Sequence, residues 1–196
     1  MRKGLIIVLL LAPFLVTAAE AQDDWFFGLA WSVSVPMEDT KEFTDKTSFR
    51  GAAMEIRKMT NPNVSFGGVF AWNVFDWDGE GTGSIENTTI SGYQFRYGNY
   101  FPLMLNGHYY LGKKGGTRVF AGLNAGGFIT ERRLEIGLIA ITEDKWLWGG
   151  APELGVAIPF NWNLAGFVNA RYFYGFKSGD TPALSYLNFG VGLVWR

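Results

Sequence analysis

The chain has 196 residues, a formal net charge of −1, no cysteine, 26 glycines and 17% aromatic residues. Without cysteine, structural disulfides, a lipid-modified N-terminal cysteine and thiol redox chemistry are excluded. The near-balanced charge contains no basic block that would suit nucleic acid, and the joint abundance of glycine and aromatics suits strands, turns and interfacial girdles better than a soluble core.

The chain opens on Met1-Arg2-Lys3, continues through an apolar run from Gly4 to Val16, and reaches Ala19-Glu20-Ala21 before Gln22. A basic start, a short apolar run and an A-x-A site read as a secretory signal peptide over residues 1–21, with cleavage after Ala21. The run falls short of the roughly 20 apolar residues that a spanning helix needs. Residues 22–196 are then left as one domain.

Alternation and turn chemistry predict eight strands, near residues 25–35, 49–59, 64–76, 88–111, 117–130, 146–159, 163–176 and 184–196. The first sets Trp25, Phe27, Leu29, Trp31, Val33 and Val35 against Gly28, Ala30, Ser32 and Ser34. From Ser91 to Leu111 a two-residue rhythm runs without a slip: bulky apolar residues hold most odd positions, and small or polar ones such as Gly92, Gln94, Arg96, Gly98, Asn106 and His108 hold even ones. The last sets Leu187, Phe189, Val191, Leu193 and Trp195 against Asn188, Gly190 and Gly192. No helical pattern competes. Tight connections at Thr60-Asn61-Pro62-Asn63, Gly112 to Gly116 and Phe160-Asn161-Trp162 alternate with longer polar ones, such as Pro36 to Ser48 and Asp76 to Asn87. Thr44, in the first of these long loops, is expected to tolerate a charge. A break near Pro102 would give nine strands, whereas single-chain bacterial barrels use even numbers, so eight stands.

Alternation alone does not say which face lies inside, and a soluble lipocalin-like barrel would point the bulky face inward. An eight-stranded lumen is only wide enough for filling side chains. Gly51, Ala53, Gly122, Gly126, Gly149, Ala151, Gly155, Gly190 and Gly192 fit there; the Trp, Tyr, Phe and Leu of the other face would overfill it. Aromatics also gather toward both strand ends, as two membrane interfaces require. The expected fold is all-β, an eight-stranded antiparallel up-and-down transmembrane β-barrel, in the outer membrane of a Gram-negative cell.

The lumen face carries Glu55, Arg57, Arg96, Glu153 and Arg171, and charges removed from water persist only when paired. Glu153 and Arg171, on adjacent strands at similar heights, are the best pair. Phe26, Phe120, Phe128, Phe167 and Phe173 share that face, which favours an internal salt-bridge plug over a selective pore. His108 is the only histidine, with no serine at a nearby spacing, and reads as structural. Asp76-x-Asp78-x-Glu80-Gly81 begins like a calcium loop, but position 12 is Asn87 in place of a bidentate glutamate, so a solvated turn is expected. Catalytic, cofactor and metal residues are expected to be absent.

Two stretches carry a family resemblance. Asn188-x-Gly190-x-x-Leu193-x-Trp195 resembles the β-signal that small outer-membrane barrels of the OmpA and OmpX type present to the barrel-assembly machinery, with Arg196 following the aromatic that is often terminal. Phe101 to Tyr110, a tight turn and Arg118 to Gly127 are similar to the middle hairpin of those families. Membrane-embedded acyltransferases and lipid deacylases share this architecture and use a histidine near the outer leaflet, whereas His108 lies near the turn side. The expected function is structural or interactive: a non-enzymatic envelope protein that stabilises the outer membrane and presents loops, its lumen plugged by side chains. The alternative is a narrow passive channel for small solutes, hydrophobic ones included. Implied partners are outer-membrane lipids and lipopolysaccharide, the assembly machinery and an unknown extracellular ligand.

Overall fold

The structure, a computed structural model, describes residues 25–85, 88–137, 139–179 and 181–196. The segment read as a signal peptide, residues 1–21, lies outside the described residues. Eight strands run in chain order: β1 (Trp25–Pro36), β2 (Ser48–Asn61), β3 (Val64–Ile85), β4 (Thr88–Leu111), β5 (Arg118–Ile136), β6 (Ile139–Pro159), β7 (Leu164–Gly175) and β8 (Leu184–Trp195). Each pairs antiparallel with its chain neighbours, and β1 closes the barrel on β8 from Phe27 opposite Trp195 to Pro36 opposite Tyr186. Closure leaves no sheet edge inside the bilayer, which a membrane-spanning sheet requires.

The alternation of the sequence becomes two unlike surfaces. Leu105 is 77% exposed, Leu154 65% and Leu123 63%, values that only a lipid environment makes tolerable for so many large apolar side chains. Inward positions of the same strands are buried: Met104, Asn106 and His108 on β4, Asn124 on β5, and Ala151 and Glu153 on β6. Trp72 and Trp148 mark the outer side of the apolar band, and Tyr109 and Trp195 the turn side, all on the outward face, with Trp162 exposed in the turn after β6. The barrel is therefore of the membrane type, with its small and polar face inside.

The strands differ from their expected lengths on the loop side. β3 continues to Ile85, and β5 and β6 continue to Ile136 and Ile139, so the segments read as long loops are hairpins standing above the barrel. Above the band both faces meet water, the contrast between faces fades, and polar strand there looks like loop. Asp76, Asp78 and Glu80 lie opposite Tyr97, Phe95 and Tyr93 in this extended ladder, and an extended backbone does not wrap a cation as a calcium loop does. Pro102 does not break β4; the ladder to β3 lapses only opposite Phe101 and Pro102, where the missing N–H cannot donate.

A second difference is a short helix in the first loop, α1 (Glu38–Phe43), six residues long and too short to leave a periodic signature. Ser185 ties it to β8, donating from its hydroxyl to Met37 O at 2.9 Å and from its backbone N–H to Thr40 Oγ1 at 2.8 Å. Thr44, just after the helix, is fully buried, so this site does not accept a charge.

If Leu105 faces hydrocarbon, Leu105→Arg destabilises the barrel by roughly 2 to 4 kcal/mol, whereas Lys113→Glu in an exposed turn changes stability by less than about 0.5 kcal/mol. Reversible unfolding in liposomes measures both, and equal effects contradict this assignment of faces.

Candidate functional site

The most concentrated chemistry lies inside the barrel. Cross-strand register sets Glu153 opposite Arg171, Glu153 opposite Gly122 and Gly122 opposite His108, while Ser65 of β3 lies opposite His108. Because inward side chains recur every second residue, these pairings bring four strands' polar groups to one height. Glu55 and Arg57 of β2 reach the same layer from across the lumen.

Glu153 is the hub. Its Oε1 accepts from Arg57 Nη2 at 3.2 Å, Asn169 Nδ2 at 2.7 Å and Arg171 Nη2 at 3.0 Å. Its Oε2 accepts from Asn124 Nδ2 at 3.1 Å and faces His108 Nε2 at 3.0 Å. Since a carboxylate only accepts, Nε2 carries the imidazole hydrogen. Arg171 also donates to Glu55 Oε1. Arg57 donates to Glu55 Oε2 at 2.5 Å and to Tyr110 Oη at 3.0 Å, and stacks over Phe120 at 5.1 Å. All four charged residues are at most 7% exposed. Two carboxylates meet two guanidiniums, so the layer is neutral as a set.

Glycines make room for this layer. A Cβ on Gly122 would sit 2.2 Å from His108 Cδ2, and one on Gly190 would sit 2.3 Å from Asn169 Oδ1. Both would displace donors to Glu153.

Above the charged layer a polar ladder links Ser34, Asn73 and Asn188: Asn188 Nδ2 donates to Ser34 Oγ and to Asn73 Oδ1, both at 2.9 Å. An aromatic layer follows, with Tyr186 at 4.9 Å from Phe173 and 5.5 Å from Phe75 between ring centres, and Phe128 at 6.0 Å from Phe173. Over the outer mouth lies α1. Arg96 donates to the carbonyls of Glu42 and Phe43, and Arg96 and Arg132 both stack on the Phe43 ring. Arg96 therefore lies apart from the other four charged residues, holding the helix instead of joining the ion cluster. Outside the barrel proper, Asp78 pairs with Lys46 and accepts from Tyr93 Oη at 2.7 Å. The hydrogen bond from Lys46 holds the Asp78 carboxyl below its usual range and the same contact pushes the Lys46 ammonium up. This tie is thus complete near neutrality, lost in acid as Asp78 protonates and lost in strong base as Lys46 deprotonates.

Below the charged layer the lumen opens into a vestibule of about 620 Å3 on the turn side, floored by Glu55, Arg57, Tyr110 and Phe120. The sequence separation of 43 residues between Ser65 and His108 hides their adjacency, and only the β3–β4 register reveals it. The constellation of hydroxyl, imidazole and carboxylate does not read as a nucleophile, because Ser65 is fully buried and its Oγ bonds Tyr110 Oη at 3.4 Å. Among the described residues no group of three acidic or histidine side chains is spaced to hold a metal.

The terminal motif divides by face. Asn188 and Gly190 point inward, into the ladder and against Asn169, while Leu193 and Trp195 point outward, 47% and 36% exposed.

No protein-family model matches the chain, and no curated protein matches it significantly. Solved structures do. Neisserial surface protein A superposes with a TM-score of 0.60 at 10% identity, over 88% of this chain and 96% of its own. Ail, the attachment invasion locus protein of Yersinia pestis, gives 0.49 at 12% identity over 89% and 100% of the two chains, and E. coli outer membrane protein W gives 0.48 at 16% over 90% and 99%. The first of these carries the comparison: across almost its whole length, the chain has the fold of the small eight-stranded outer-membrane β-barrels.

Proposed function

We propose that the protein is a non-conducting, non-enzymatic outer-membrane barrel whose lumen is a structural plug and whose raised hairpins form an interaction surface. The observation that carries this reading is the mutual pairing of Glu55, Arg57, Glu153 and Arg171. A conducting pore keeps its charges hydrated; here each guanidinium pairs with both carboxylates, and all four carboxylate oxygens are taken. The aromatic layer and α1 support the same reading from the outer side. Catalysis finds no support, since the one histidine is spent on Glu153 and the neighbouring serine is sealed from substrate.

The interaction surface is argued from register. β3 has no β2 partner above Asn73, and β6 has no β7 partner above Gly149, so β3 to β6 continue past the barrel as a four-stranded blade. Its outward face exposes Tyr93, Phe95 and Trp146, and such aromatics favour recognition of an extracellular partner. Neisserial surface protein A is a surface protein by name, in keeping with this role. Outer-membrane lipids and lipopolysaccharide surround the apolar band in this reading, and the barrel-assembly machinery reads Asn188, Gly190, Leu193 and Trp195. A narrow passive channel for small solutes is the second reading, favoured by the vestibule, which opens the turn-side end of the lumen.

Two experiments bear on these readings. Removing one half of a buried ion pair leaves an uncompensated charge at a cost of about 3 to 5 kcal/mol, so Arg171→Met is expected to be far worse than Arg171→Met combined with Glu153→Leu. The measurement is a double-mutant cycle on unfolding in lipid, run beside planar-bilayer recordings. Near-zero coupling with a charge-dependent conductance promotes the channel. Deleting Trp195 and Arg196 removes the outward anchor of the closing strand, and the protein is expected to accumulate unassembled in the periplasm; normal folded levels in the outer membrane defeat the assembly role.

A further inference from the structure

The turn-side vestibule combines three features that the plug does not use. Its walls are apolar and aromatic, with Phe26, Phe120 and Phe167 converging below the charged layer. Its volume of about 620 Å3 lies within the usual range for small-molecule pockets. Its side chains are also unbalanced in charge: Arg57, Lys114, Arg118 and Arg196 line it, against the single carboxylate of Glu55.

The deeper charges are already neutralised. Glu55 is taken by Arg57 and Arg171, so the excess lies at the rim. There Arg118 donates to the Pro62 carbonyl at 2.6 Å and stacks on Tyr110 at 4.9 Å, and Arg196 stacks on Phe26 at 5.0 Å. Neither has a carboxylate partner among the described residues.

From these features we infer that the vestibule is a periplasm-facing binding site for a small apolar-bodied carboxylate, an aryl or short-chain acid. The apolar body inserts between Phe26, Phe120 and Phe167, and the carboxylate stays at the mouth against Arg118 and Arg196. Guanidiniums at an aromatic surface suit this: they bind carboxylates in a bidentate fork while their planes remain stacked on rings. The head remains near water, so the site avoids the cost of burying an anion. Because the site lies wholly below Arg57, a ligand can occupy it without crossing the plug.

The test uses the full barrel in zwitterionic lipid nanodiscs, with 2-naphthoate as probe, neutral 2-naphthamide as its uncharged counterpart and empty nanodiscs as the partition control. Equilibrium dialysis is expected to show naphthoate bound above the empty-disc level. The Arg118→Gln, Arg196→Gln variant is expected to weaken naphthoate about tenfold, or about 1.4 kcal/mol, and to leave naphthamide unchanged. Ala157→Phe, which fills the cavity from β6, is expected to abolish binding of both. Heat-modifiable gel mobility checks that each variant is folded. Should a variant fail to fold, the wild-type barrel still decides: about 1 M salt, which cuts the screening length to about 3 Å, is expected to weaken naphthoate alone. Naphthoate binding no greater than in empty discs, or binding indifferent to both the arginines and salt, overturns the site.

Discussion

An eight-stranded barrel encloses a lumen just wide enough for its own side chains, and every charged group placed there must find its partner inside the wall. This constraint governs the rest of the molecule. Glu153 can exist 2% exposed because five groups from β2, β4, β5 and β7 converge on it. Those donors converge only if the strand register is held, so the ion cluster and the register specify one another. Replacing the layer with apolar residues of the same volume need not destabilise the barrel; what the charges supply is a single alignment, since a slip of one residue would turn Glu153 and Arg171 toward lipid.

The remaining lumen is arranged around that layer. Toward the outside, polarity declines through Ser34, Asn73 and Asn188 to the rings of Phe75, Phe173 and Tyr186, and ends under α1. Toward the periplasm the filling stops, and the vestibule is left between the aromatic underside of Arg57 and the turns. In the proposed reading the barrel is closed and tethered at one end and open at the other. Its two ends therefore suit different tasks, with the blade of β3 to β6 meeting the exterior and the cavity meeting the periplasm.

Much of the fold was legible in the sequence, because a period of two with one bulky face and one small face has few other solutions. Parity sorts Leu105 and Trp195 onto one face and Glu55, Arg57, Glu153 and Arg171 onto the other, and the narrow lumen of eight strands, too small for the bulky set, decides which of the two points inward. The heights of β3, β5 and β6 were not legible, since above the bilayer both faces meet water and stretches such as Asp76, Asp78 and Glu80 look like loop. Nor was α1, whose six residues are held by Ser185 and Arg96 from distant strands. The site was legible in part. Parity names its members, but which of them meet depends on register, and so Ser65 beside His108 was missed and Arg96 was grouped with charges from which it lies apart.

The central claim is that water does not pass the charged layer, and the chain's lack of cysteine allows a direct measurement. A single cysteine is introduced at Ala157, in the vestibule wall, or at Ala151, fully buried on the outer side of Glu153. A small membrane-impermeant thiosulfonate is then applied from each side of oriented vesicles, and modification is followed by mass. The account predicts that cysteine at 157 reacts from the periplasmic side only and that cysteine at 151 stays unmodified from both. Ready modification of cysteine at 151 from the periplasmic side, in a folded barrel, would contradict it.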